Sequence, residues 1–322
     1  MRHSKVGVVC LALLLLFSWG SILQAESDPS VIQAKTRHFF FRFHEQDRFY
    51  MNRIIAKSEA LYEKTTRDIG VVSTEPIGVI MAFTEEEFNQ FQPGGDQLPQ
   101  WVGGVAYASL NLMVIRSPRL VAGTRENPLT TFTHELSHLI LARQFGRSPI
   151  PRWLNEGLAM YEAYEWSPSQ DLLMARAVLS GRLIPLDRLT LAFDGEDVAI
   201  RQAYFQSYSL VNYLITTYGG EDFHAFVRRL ARGQSFEQAL QETVLLTPQS
   251  FEAAWKRHLS LRFNWIPILT STAVLWFLIS SSLIGIYLIR KRKDRRILGE
   301  WSREEQGEVK EDGGSYKDGA HP

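Results

Sequence analysis

Two histidines four residues apart, His134 and His138, with a glutamate at position 156, constrain the fold of this chain more than any other feature. On an α-helix, residues i and i+4 share a face, so both imidazoles can aim at one point. Glu156 reaches that point only if a second helix turns back across the first. His134-Glu135-Leu136-Ser137-His138 is an H-E-x-x-H pattern, which holds Zn²⁺ with the intervening glutamate beside the ion as general base. A catalytic zinc takes three protein ligands and keeps a fourth position open. Glu156, separated from His138 by 17 residues, is the expected third ligand. The residues therefore read as a zinc-dependent hydrolase with His134, His138 and Glu156 on the metal and Glu135 as catalytic base.

The bland reading of the same residues is a helix carrying two satisfied surface histidines. Its surroundings argue against that. Asn127-Pro128 supplies an N-cap and a proline at the first helical position. Phe132, Leu136, Leu139, Ile140 and Phe145 follow at helical spacing, and Gly146 is a stop. Pro149 and Pro151 mark a turn, and a second helix is expected to start near Trp153. Metzincins need Gly and His three and six residues after the second histidine, where Leu141 and Gln144 stand. A cysteine-ligated site is excluded because Cys10, in the N-terminal apolar segment, is the only cysteine. The flanking Arg125, Glu126 and Arg143 speak against an intramembrane helix.

HELSH followed by WLNEGLAMY resembles the gluzincin metallopeptidases, above all the peptidase MA-like domains, and more distantly the aminopeptidase N group. The gap to the third ligand is one residue shorter than that group's. The resemblance spans about residues 35–260 and implies Zn²⁺, a peptide or protein substrate, and a tyrosine that steadies the oxyanion. Tyr204 aligns with that tyrosine by position, with Tyr208, one turn later, as the reserve; the bland reading of either is a buried aromatic in an amphipathic helix. Aminopeptidases also place a G-x-M-E-N strand before the zinc helix, whose glutamate grips the substrate's free amine. Here that segment is Gly103-Gly104-Val105-Ala106-Tyr107-Ala108, without an acidic residue. Gly104, Val105 and Ala106 can still pair with an extended peptide backbone. The missing carboxylate favours endopeptidase action.

Two apolar segments bound the globular part. Arg2, His3 and Lys5, then Val6 to Phe17, then Leu23-Gln24-Ala25 read as a signal peptide over 1–25, with an uncleaved signal anchor as the alternative. Trp265 to Ile289 contains no charged residue and exceeds the roughly 20 residues needed to cross a bilayer. Six Lys/Arg residues lie between Arg290 and Arg296, which puts the C-terminus in the cytoplasm and a catalytic domain over 26–262 on the other side. The 290–322 segment is expected to be basic at first and then, from Glu300, a disordered tail. The formal net charge is zero, so no basic excess points to a nucleic acid; the expected partners are a polypeptide substrate and the lipid bilayer.

Between those segments the pattern reads as α+β: a small mixed or antiparallel sheet followed by a helical lobe, as in thermolysin-like zincins. Strands are expected over Thr36–Phe43 and Pro76–Phe83, with Phe39 to Phe43 in the core, and a long helix over Arg48–Asp68. Thr84 with Glu87 reads as a capping box starting a short helix, and Gln92–Pro99 as a Gly/Pro loop. Val102–Ala108 and Leu112–Arg116 should form a hairpin. Helices follow over 152–165, 170–180, 197–217, 221–232, 235–243 and 248–261. His38, His44, His224 and His258 lack metal spacing and read as surface or satisfied histidines; Glu162 and Glu165 read as solvated helix positions rather than partners of a zinc-bound histidine. A second functional reading keeps the zinc fold as a catalytically silent binding or scaffold protein of the cell envelope.

Overall fold

The computed structural model describes residues 30–71, 73–92, 98–99, 102–120, 127–263 and 272–312. The expected signal segment, most of the 92–99 loop, residues 265–271 of the apolar span and residues 313–322 lie outside that set. The chain divides into two units, Met1–His258 and Leu259–Pro322.

The first unit is built on a five-stranded mixed sheet in the order β1-β2-β3-β5-β4. Its strands are β1 (Val31–Lys35), β2 (Phe39–His44), β3 (Ile77–Ala82), β4 (Gly104–Tyr107) and β5 (Leu112–Arg116). Alternation decides which face is inside: Phe39, Phe41 and Phe43 are buried on β2 while Arg42 is exposed. β2 and β3 run parallel because helix α1 (Arg48–Ile69) carries the chain back between them. Its buried positions, Met51, Ile54, Ser58, Tyr62, Thr65 and Ile69, recur at helical spacing, and Gly70 closes it at φ 78. β1 is a strand that the sequence did not reveal. The expected 36–43 strand begins later because a turn with a 3.0 Å bond from Thr36 N–H to Phe39 O folds β1 back antiparallel on β2. The β4–β5 hairpin falls where the sequence placed it, with Asn111 in the left-handed region at φ 47.

Helix α2 (Glu85–Asn89) starts at Thr84, whose hydroxyl accepts from Glu87 N–H; the Glu87 carboxylate accepts from Phe83 N–H, one residue before the cap. After the sheet the unit is helical: α3 (Pro128–Phe145), α4 (Arg152–Glu162), α5 (Pro168–Leu179), the short α6 (Leu186–Leu189), α7 (Asp197–Tyr218), α8 (Gly220–Ala231), α9 (Phe236–Thr243) and α10 (Pro248–Phe263). Asn127 caps α3 by accepting from Leu129 N–H, and Ser235 with Gln238 forms the capping box of α9. α4 is shorter than the sequence implies. It ends at Glu162 because Tyr164 takes φ 55, and α5 starts early, at Pro168, behind a capping box of Ser167 and Gln170. Among the described residues, the histidines outside the motif are engaged. His38 is 2.6 Å from Glu59, His44 3.2 Å from Glu87, His224 2.9 Å from Asp68 O, and the His258 ring lies 5.0 Å from that of Tyr213.

In the second unit, helix α11 (Thr272–Asp312) contains a stretch, Val274–Gly299, long and apolar enough to cross a membrane. The helix runs on to Asp312, so residues 300–312, expected as disordered tail, are helical. Glu, Gln, Lys and Arg are good helix formers, and low hydrophobicity alone does not stop a helix already nucleated upstream.

α4 and α7 approach backbone to backbone at Gly157. A Cβ on Gly157 would stand 2.4 Å from the backbone oxygen of Ser207 and 2.6 Å from its carbonyl carbon. Backbone cannot yield as a side chain can, so only glycine fits there. Gly157→Ala is therefore expected to destabilise the domain by about 1–3 kcal/mol through overpacking. Thermal unfolding of the variant should fall by several degrees, and an unchanged midpoint would mean the two helices separate without penalty.

Candidate metal centre

α3 and α4 bring the sequence-expected ligands together. Ligand atoms of His134, His138 and Glu156 lie within 4.8 Å of one another. The Glu156 carboxylate is 3.8 Å from His134 Nε2 and 3.9 Å from His138 Nε2. Tetrahedral Zn²⁺ with bonds of about 2.0–2.1 Å sets its ligand atoms roughly 3.4 Å apart. The cluster therefore needs only a small contraction to close on a cation, and the imidazole and carboxylate donors suit zinc.

Each imidazole is held from behind. His134 Nδ1 lies 2.9 Å from Glu165 Oε1, and His138 Nδ1 lies 3.0 Å from Asn155 Oδ1. Each partner oxygen accepts a hydrogen bond from Nδ1–H, which turns each Nε2 toward Glu156 and the point that the three groups share. Glu165 is not the solvated helix position expected of it. Because the helix breaks at Tyr164, its carboxylate reaches His134 instead. Glu162 is not solvated either: fully buried, it takes a 2.7 Å bond from Lys64. Asn155 was not singled out in the sequence, although it immediately precedes Glu156 on a helix that has to cross His138.

Electrostatics follow from this crowding. Burial opposes charge on His134, but Glu156 and Glu165 outweigh it and hold the imidazole well above its ordinary range. Burial would raise Glu156, yet His134 and His138 keep it below the usual carboxylate range. Glu135, only 6% exposed, goes the other way: burial pushes it up and the two imidazoles only partly offset that. A cation entering here displaces the proton on His134, so its affinity falls as pH falls.

A cleft of about 1020 Å³ opens in front of these groups. β4 forms one wall and α7 another. A Cβ at Gly104 would lie 2.9 Å from both Glu135 Cγ and Thr131 Cγ2, so any larger residue there would displace one of these side chains. Val105 and Ala106 continue the lining, and their inner edge pairs with Val114 and Met113. Arg116 on β5, 2% exposed, fixes the chain entering β4 by donating to Pro99 O, Val102 O and Leu98 O. Tyr204 lines the cleft with its ring edge-on to Phe193; burial, reinforced by Glu156, pushes its phenol up to about 12. Tyr208 is not among the lining residues and stacks on Trp166 at 4.4 Å.

A family model described as the peptidase MA superfamily matches residues 57–260, nearly two thirds of the chain. The chain belongs to the peptidase MA superfamily. Among solved structures, a two-domain M1 zinc metallopeptidase variant bound to L-tryptophan is 15% identical, with 70% of this chain and 50% of that one covered at a TM-score of 0.41. An M1 zinc metallopeptidase from Deinococcus radiodurans is 16% identical, with 71% and 49% covered at a TM-score of 0.38. The chain thus spans about half the length of these solved structures. No curated protein matches it.

In this peptidase MA domain, residues that hold the imidazoles should matter almost as much as the ligands. Glu165→Ala and Asn155→Ala are each expected to weaken zinc affinity about 10–100-fold with the fold intact. Competitive chelator titration measures this, and wild-type affinity in Glu165→Ala would show that His134 needs no partner behind it.

Proposed function

We propose that this chain is a membrane-anchored, zinc-dependent peptidase acting on polypeptides outside the cytoplasm, with endopeptidase specificity and a thermolysin-like catalytic core. The observation that carries the reading is the convergence of His134, His138 and Glu156 around one point, with buried Glu135 beside them against an edge strand. His134, His138 and Glu156 would hold Zn²⁺, which when bound supplies Lewis-acid polarisation of a carbonyl and acidifies water.

The remaining roles belong to the chain's own side chains. Gly104, Val105 and Ala106 lie on a sheet edge, where a substrate can bind as an added strand. That register would present its scissile carbonyl to the cleft floor. The Glu135 carboxylate takes the proton of the attacking water and delivers it to the leaving amine. Its upward-shifted pKa suits that exchange, because a carboxylate that holds a proton too weakly is a poor base toward the attacking water. Tyr204 keeps its phenolic proton and donates it as a hydrogen bond to the developing oxyanion. Its place on the cleft wall favours it over Tyr208. Endopeptidase action is favoured because Glu156 and Glu165 are engaged with imidazoles and β4 offers no carboxylate for a free amine.

Glu135→Gln is expected to keep zinc and fold but lose peptide hydrolysis, while Tyr204→Phe should retain zinc and lose about 10²–10³ in rate. Casein hydrolysis with and without chelator, alongside metal analysis, reads both. Chelator-insensitive turnover, or near-native turnover in Glu135→Gln, would sink the mechanism. Absence of turnover in a zinc-loaded wild type would favour the silent scaffold.

The anchoring half of the proposal rests on the Val274–Gly299 stretch and the basic run that begins at Arg290. With a signal over 1–25, the positive-inside rule puts the peptidase domain outside and the C-terminus in the cytoplasm. Protease added to intact spheroplasts should digest the zinc domain and spare an epitope at the C-terminus. The reverse pattern would invert the topology.

A further inference from the structure

The wall of α7 that faces the cleft is made by Arg201, Tyr204 and Phe205, three residues at i, i+3 and i+4 spacing on one helical face. Among the charged cleft residues that are described, most are engaged. Glu156 and Glu165 lie against the two imidazoles. Glu135 is buried on the floor beside them. Arg152 donates to Asp194 at 2.8 Å and lies over the Phe193 ring at 4.9 Å. Arg201 stands apart: no described residue pairs with it by hydrogen bond, ion pair or ring contact, and it is exposed to the cleft. An arginine presents a planar fork of donors that matches a carboxylate in two parallel hydrogen bonds. Held one turn before Tyr204, the fork lies within the same cleft as the reacting groups.

We propose that Arg201 is a specificity-determining residue that selects peptides carrying a carboxylate near the bond to be cleaved. The inference rests on the peptidase reading for the ligand being a peptide. The carboxylate can come from an Asp or Glu side chain or from the peptide's C-terminus, and either would place a negative charge against a cation that no described residue neutralises. The three carboxylates on the floor are buried or held against the imidazoles, whereas Arg201 is exposed to the cleft. A Lys or Arg side chain in the same place would be repelled, so discrimination arises from both signs.

The test measures binding apart from turnover. Short peptides with a neutral fluorophore, identical except for Glu or Gln at one position and each with a free or amidated C-terminus, are titrated by anisotropy against the full chain in detergent. Hydrolysis of the same peptides is followed in parallel. Wild type should bind the Glu peptide about tenfold more tightly than the Gln peptide, a preference that salt weakens. Arg201→Ala should bring the ratio toward one, and Arg201→Glu should turn it over in favour of a Lys-containing peptide. A preference that vanishes on amidation rather than on Glu-to-Gln exchange supports the assignment and locates the carboxylate at the chain end. Equal ratios in wild type and Arg201→Ala overturn the inference even if hydrolysis proceeds. A charge preference without hydrolysis leaves Arg201 in place and removes the peptidase reading. Failure to bind any of the peptides overturns both.

Discussion

Carboxylates repel one another in a protein interior unless positive charge lies between them. Glu135, Glu156 and Glu165 are drawn together here only because His134 and His138 stand among them. That mutual dependence fixes much of the rest. α3 must present two imidazoles on one face, α4 must cross it at Glu156, and the chain must break at Tyr164 so that Glu165 can come back to His134. The groups that would otherwise suffer from burial are the ones that neutralise each other, which lets the site preorganise before any ion arrives.

Two missing methyl groups set the dimensions of the cleft. At Gly157 the absence of a Cβ lets α7 lie against α4, and this carries Tyr204 to the wall. At Gly104 it lets β4 lie against Glu135. One contact governs the distance from the His134, His138 and Glu156 cluster to Tyr204, the other the distance from Glu135 to the strand edge. The first is a backbone approach that no side-chain rotation can relieve, whereas at the second the strand backbone meets the side chains of Glu135 and Thr131.

What the sequence disclosed was local. The histidine spacing, the Asn127-Pro128 helix start, the β4–β5 hairpin and the capping box at Ser235 each depend on residues within a few positions of one another, and each stands where the pattern put it. What it withheld depends on contacts made across the chain. β1 is an edge strand of mixed exposure with no strong alternation to betray it. Glu165 reads as surface until Tyr164 turns the backbone, and a non-glycine residue at positive φ has no sequence signature of its own. Asn155 and Arg116 acquire their roles only from what lies opposite, an imidazole in one case and three loop carbonyls in the other.

Lys64 and Glu162 sit on α1 and α4, far apart in the chain, and meet at 2.7 Å with the carboxylate wholly buried and Asp68 at 2.9 Å on the lysine's other side. Losing Lys64 strands the Glu162 carboxylate in the interior and losing Glu162 leaves the lysine only Asp68, whereas exchanging both for apolar residues of similar volume is tolerable. Mutational drift at these two positions is therefore channelled. A single change that removes one charge is strongly disfavoured, and the accessible routes are joint replacements, so across descendants of this chain the two columns should vary as one unit.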